Sequence, residues 1–208
     1  MERASAGGVR REEKRSEVKV LDMESGQPAE ARTLLERAIA SAERAYPPDY
    51  PTLARLRSQL AGILHAQART HGRAGGWEAA RLLAEQSLAL AKRADQPLLI
   101  AESYRLLADA ALHGSDYENA QLFYEETIRR ADALDRTEDA TAARLLLVTL
   151  LLQLGHIRRG VAHVARLRAL LANAEIGRED RGEIEDVLRL ADAAQAEAAG
   201  PGEQETAT

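Results

Sequence analysis

The chain has 208 residues, 45% apolar and 29% charged, enough to bury one core or a short array of repeats, and its formal charge is −5. Cysteine is absent, which excludes disulfides and thiolate metal centres. Aromatic residues make up only 3%, so the composition favours close-packed Leu/Ala helices over sheets, whose strands want β-branched and aromatic side chains.

Residues 1–26 carry six basic and six acidic side chains. They show no helical period and lack the apolar stretch of a secretory signal. A flexible charged arm is expected there, with Val18-Lys19-Val20-Leu21 its one strand-like piece. From Pro28 onward Ala31, Leu34, Leu35, Ala38, Ile39 and Ala42 recur at three-four spacing, a helix that the prolines of Tyr46–Pro51 terminate. Leu53, Leu56, Leu60, Ile63 and Leu64 mark a second helix, expected to fade into a glycine-rich turn at Thr70–Gly76. Its partner is expected from Trp77, with Ala80, Leu83, Ala84, Ser87, Leu88 and Ala91, ending at Asp95-Gln96-Pro97. Two more pairs follow: Leu99–Leu112 with Tyr117–Leu134, and Thr141–Leu154 with His156–Ala172. Ser115 with Glu118 reads as a capping box. A last amphipathic helix is expected over Arg181–Ala194, then a disordered acidic tail from Ala199. The longest apolar run, Leu145–Leu154, is interrupted by Thr149 and Gln153. It is about half of the roughly 20 residues that a membrane span needs, so no membrane association and a cytoplasmic location are expected.

One spacing organises these helices. Trp77, Tyr117 and Ile157 lie 40 residues apart, each opening the second helix of a pair, within Gly75-Gly76-Trp77-Glu78-Ala79-Ala80, Ser115-Asp116-Tyr117-Glu118-Asn119-Ala120 and Gly155-His156-Ile157-Arg158-Arg159-Gly160. A fixed period of this size signals stacked helical pairs. Only three of the 28 basic residues are lysine, a hint of a GC-rich bacterial genome.

The pairs resemble the tetratricopeptide repeat family. Tyr104, Leu107, Ala108 and Ala111 stand where its first helix packs, and Tyr117, Ala120, Tyr124, Thr127 and Ile128 where its second does. Trp77, Ala80, Ala84 and Ser87 fit the same pattern one repeat earlier. Leu147, Val148, Leu151 and Ile157 fit it one repeat later, with Gly160 in place of the usual alanine. The resemblance implies an all-α, right-handed α-solenoid of antiparallel helix pairs over residues 27–172, with a C-terminal capping helix over residues 173–198. The 40-residue period looks like the longer-helix variants of bacterial regulators.

The resemblance also implies a concave groove built from first helices, where family members bind peptides or partner helices. Carried over by position, its residues are His65 and Arg69 in the first repeat, and Glu102, Arg105, Asp109, Leu112 and His113 in the second. In the third they are Ala142, Leu145, Thr149, Leu152 and Gln153. The third first helix is apolar all round, so its inner side must be covered, either by the C-terminal helix or by a partner. No acidic residue occurs from Ala140 to Ala174, where Arg144, Arg158, Arg159, Arg166 and Arg168 form a candidate basic patch; ten acidic residues follow from Glu175. These opposite blocks read as a pair of solvated faces, or else suggest that the acidic C-terminal helix or tail packs on the basic repeat, or that an acidic protein binds there.

No catalytic pattern emerges. The five histidines, His65, His71, His113, His156 and His163, contain no His-Glu-x-x-His. His156 and His163 are two helical turns apart, about 10 Å, too far for one metal ion. Gly75-Gly76 is followed by no Gly-Lys-Ser/Thr, and no serine has nucleophile-elbow context. Glu125-Glu126 reads as a solvated face, and Trp77 as interhelical packing with ligand anchoring its rival. The expectation is a non-enzymatic scaffold without cofactor or metal that binds a protein or peptide. Nucleic acid is disfavoured by the negative charge and the lack of a recognition motif. The alternatives are a regulatory or accessory subunit of a bacterial signalling or defence complex, and a homo-oligomer assembled through exposed repeat ends.

Overall fold

The computed structural model describes residues 28–71, 74–172 and 178–199. All eight elements among them are helices: α1 (Pro28–Glu43), α2 (Tyr50–His71), α3 (Ala74–Arg93), α4 (Pro97–His113), α5 (Tyr117–Ala133), α6 (Thr137–Gln153), α7 (Ile157–Leu171) and α8 (Arg178–Ala199). Short loops make sequential neighbours antiparallel. Each helix packs on the next, α2 also touches α4, and α6 also touches α8. The protein is therefore all-α, and it is built mainly from contacts between neighbours in the chain. The expected arm at residues 1–26 lies outside the described residues, as does the expected tail apart from Ala199, which is still in α8.

The 40-residue period is a doubled 20-residue one. Pro97, Tyr117, Thr137 and Ile157 open α4 to α7 at 20-residue intervals. Two residues before each stands a left-handed residue: Asp95 (φ 50°), Ser115 (φ 60°), Asp135 (φ 55°) and Gly155 (φ 71°). The residue after it donates back five positions, Gln96 to the Ala91 carbonyl, Asp116 to Ala111 and Arg136 to Ala131, each at 2.9 Å, and His156 to Leu151 at 2.8 Å. The left-handed residue itself donates three positions back, as Ser115 does to Leu112 at 3.1 Å. This is the Schellman arrangement, which satisfies the last carbonyls of one helix and starts the next after a single tight turn. Four copies of one turn thus set the repeat length.

Two local expectations are corrected here. The cap of α5 is Asp116, whose carboxylate accepts from the Asn119 N–H at 3.3 Å, while Ser115 is taken up by the left-handed turn. Gly75 and Gly76 belong to the first turn of α3 and are not a loop. A Cβ on Gly76 would stand 2.8 Å from the Ala68 Cβ, so glycine is what lets α3 close on α2.

Alanines bring the helices together elsewhere. Ala54, Ala61, Ala84, Ala108, Ala120 and Ala143 are fully buried at interhelical contacts. The central core joins Ala108 and Ala111 of α4, Tyr124 and Ile128 of α5, and Leu147, Leu150 and Leu151 of α6. The other side of α6 is covered as well. Leu145 and Val148 pack with Val164, Leu167 and Leu170 of α7 and with Ile184, Leu188 and Ala191 of α8, and Leu152 packs against this cluster. The apolar third helix is therefore covered by the C-terminal helix, whose exposed positions include Glu183, Glu185, Asp186 and Glu197 and one large apolar side chain, Leu190.

Candidate functional site on α2 and α4

Ser58, Gly62, His65 and Arg69 lie along one side of α2, and Glu102, Arg105, Asp109 and His113 along one side of α4, each at helical three-four spacing. Asp109 is the anchor, at 6% exposure. It accepts from the Tyr124 hydroxyl of α5 at 2.7 Å and from Arg105 at 3.0 Å, one turn back on its own helix. His65 Nε2 approaches it at 3.6 Å, beyond hydrogen-bond length, and is buried with no hydrogen-bond partner among the described residues. Trp77, from the first turn of α3, stacks on the His113 imidazole (centroids 3.9 Å apart, 13° between planes) and meets the His65 ring edge-on at 4.8 Å. The two imidazoles are 5.9 Å apart. Four consecutive helices thus meet through side chains at a single point.

The electrostatics follow from this geometry. Burial holds the His65 imidazole below its ordinary protonation range; Asp109 opposes that shift, while His113, Arg105 and Arg69 add to it. Burial lowers His113 too, again with Asp109 opposing and Arg69 reinforcing. Burial first, then the Asp109 charge beside it, drives the Tyr124 phenol far above its usual range, so it remains a donor. Burial also raises the Glu102 carboxyl, against the nearby Arg105, with Asp139 raising it further.

Comparison with known proteins bears on the fold. The crystal structure of BtubC (BKLC) from P. vanneervenii is similar, with a TM-score of 0.62, covering 88% of this chain and 80% of that one at 17% sequence identity. At that identity the likeness shows the fold alone. No family model and no curated protein matches the chain.

The groove residues expected from the sequence divide into two groups. His65, Arg69, Glu102, Arg105, Asp109 and His113 come together, close enough to act on one another's charge. Leu112 is half-buried against the central core. The third set does not join them: Leu145 is buried and Leu152 half-buried beneath α8, and the Thr149 hydroxyl is spent on the Leu145 carbonyl at 2.9 Å. Ala142 and Gln153 are exposed. The basic patch also changes. Arg144 is only 5% exposed and pairs with Asp132, so it is an internal tie between α5 and α6. Arg158, Arg159, Arg166 and Arg168 are exposed on α7. Arg159 lies 3.9 Å from Glu125, and Arg168 pairs with Asp192 of α8, a direct link between the opposite charge blocks.

Sequence reasoning left out Trp77 and Tyr124 as parts of the site. Tyr124 carried a signal, since a buried tyrosine needs a partner for its hydroxyl, and Asp109 is the carboxylate one helix earlier. No three His, Asp or Glu side chains among the described residues are arranged to hold a metal ion. None of the helices described is long and apolar enough to cross a membrane.

Proposed function

We propose that the protein is a non-enzymatic, tetratricopeptide-like adaptor of the cytoplasm that grips a peptide or helix of a partner protein on the inner face of α2 and α4. The observation that carries this reading is the convergence of His65, Arg69, Glu102, Arg105, Asp109 and His113, brought from two helices onto one surface. Asp109 has its charge committed internally, and in return it fixes the Arg105 guanidinium, whose side chain is still 43% exposed. A cation already held in position loses little rotamer freedom on binding, and that preorganisation favours affinity. Trp77 braces the His113 ring in the same way. A rim of fixed polar groups around a half-buried aromatic suits recognition through a few anchors better than through total area.

The test is affinity capture from the native cell with quantitative mass spectrometry. It compares the wild-type chain with Arg69→Ala, Arg105→Ala and His113→Ala, and with Arg166→Ala on α7 as control. The inner-face variants are expected to lose at least tenfold of the partner recovered by the wild type, with the control unchanged. Equal recovery by all three inner-face variants, with loss in the α7 variant, would put the partner on the other surface and sink the proposal.

A further inference from the structure

The array has an uncovered side at α1. α2 is the one described helix packed closely on it, and the contact runs through Leu35, Ala38, Ile39 and Ala42. Beside that contact α1 carries an open groove whose lining includes Leu34, Arg37, Ala38, Ser41 and Arg44. Leu34 is 51% exposed. Arg37 and Arg44, two turns apart, are exposed and make no ion pair with a described residue, whereas Arg32 is held by Glu36 and Glu43 holds Arg57.

Elsewhere in the array the same positions are covered. With helices aligned at their first residues, Pro28 of α1 and Tyr117 of α5, Leu34 matches Phe123 and Ser41 matches Arg130. The Phe123 ring lies 6.1 Å from that of Tyr104 on the preceding helix α4, and the Arg130 guanidinium lies over the Tyr104 ring at 5.0 Å. The groove of α1 is thus the face that a helix of this array turns to the segment before it. The turn into α1 repeats as well. α3 passes to α4 through left-handed Asp95, then Gln96, then Pro97 as the first residue of α4. The sequence before α1 reads Gly26-Gln27-Pro28, with glycine, which takes the left-handed conformation most readily, in the place of Asp95. Ser87 and Ser103 stand equally far before and after Asp95, and the Ser103 hydroxyl donates to that of Ser87 at 3.0 Å. Val18 and Leu34 stand at those same distances from Gly26.

We propose that residues 17–25 of this chain fold back onto α1 and cover Leu34. Val18, Val20 and Leu21 supply apolar cover for Leu34 and Ala38. Glu17, Asp22 and Glu24, against Lys19 alone, give the segment a negative balance opposite Arg37 and Arg44. A second copy of the chain is the disfavoured occupant. A two-fold contact sets the same patch against itself, so guanidinium would meet guanidinium. The tether also makes docking intramolecular, at an effective concentration in the millimolar range. The array is then capped at both ends, by α8 at one and by this segment at the other, which closes the N-terminal repeat end to self-association.

The chain has no cysteine, so an engineered pair reports alone. The full chain carrying Val18→Cys with Leu34→Cys is equilibrated in glutathione redox buffers and compared with Val18→Cys with Glu36→Cys. Glu36 is exposed and two residues from Leu34, on the far side of α1, so loop closure by itself treats the two pairs alike. Leu34 and Glu36 are both exposed, so helical circular dichroism should match the wild type in either variant. The Leu34 pair is expected to close within the chain at an effective concentration at least tenfold above the Glu36 pair. Equal closure of the two pairs overturns the proposal. Preferential closure between chains, seen as a disulfide dimer, also overturns it and assigns the face to a second copy.

Discussion

At the scale of single residues, His65 has the highest stake in protonation. It sits among Asp109, His113 and Arg105 of α4, Arg69 of its own helix and Trp77 of α3, and burial depresses its proton affinity. His113 and His163 are shifted the same way by burial. An imidazole whose folded pKa lies below its unfolded value of about 6.5 binds its proton more readily in the unfolded chain. Stability is therefore full above about pH 6.5 and is lost as pH falls toward the folded value. Glu102, raised on folding, has the opposite sign: its contribution is present at low pH and disappears as pH rises through its folded value. Urea midpoints should thus fall between about pH 7.5 and 6, and His65→Gln should flatten that slope. An unchanged slope in the variant would remove His65 from this role. Trp77, the one tryptophan of the chain, stacks on His113 and so offers a fluorescence readout of the same region. The resemblance to the repeat family implied that His65, Asp109 and His113 share a groove; helical spacing by itself relates only Asp109 to His113, which lie one turn apart on α4. The Trp77–His113 stack was not legible in the sequence. It depends on α3 starting at Ala74 and on Gly76 closing against Ala68, both tertiary facts.

At the scale of elements, the turn matters more than the helix it joins. Leu, Ala and Glu would form helices at many lengths, whereas the left-handed residue at Asp95, Ser115, Asp135 and Gly155 stops each helix at the same point. Only Gly155 adopts that conformation without steric cost; an L-residue there is disfavoured by about 1–2 kcal/mol. Ser115→Gly should accordingly raise stability by up to about 1 kcal/mol, seen as a higher urea midpoint with unchanged slope. A decrease would mean that the serine side chain contributes more than its backbone costs. The sequence displayed the 40-residue rhyme because Trp77, Tyr117 and Ile157 each stand in the first turn of a helix, although Trp77 stacks on His113 while Tyr117, expected at a packing position, is 42% exposed. It concealed the 20-residue one because aspartate, serine and glycine reach the same backbone state by different chemistry. It also misled at the α5 cap, where Ser115 and Glu118 match a capping box but the adjacent Asp116 has the cap geometry.

At the scale of the whole molecule, contacts between chain neighbours make stability a sum along the array rather than a property of one core. The two ends then differ. At the C-terminal end α8 covers Leu145, Val148, Val164 and Leu167 with Ile184 and Leu188, while the inner-face cluster of α2 to α5 shares none of these residues. Removing α8 by a stop after Ala172 should therefore act locally. Leu145, Val148 and Leu167 would face water, and each apolar side chain of this size returned to solvent costs about 1.5–3 kcal/mol. That is enough to unfold α6 and α7 in an array whose neighbours contribute only nearest-neighbour terms. Hydrogen exchange should show protection lost across α6 and α7 and kept across α3 and α4. The emission of Trp77 should stay native while helical circular dichroism falls. The one complication is α5, whose Tyr124 and Ile128 pack on Leu147 and Leu151 and which should exchange at an intermediate rate. Collapse of all helices together, with the Trp77 signal lost in the same step, would show a single cooperative core. The inner face could then not be treated as a site independent of its cap.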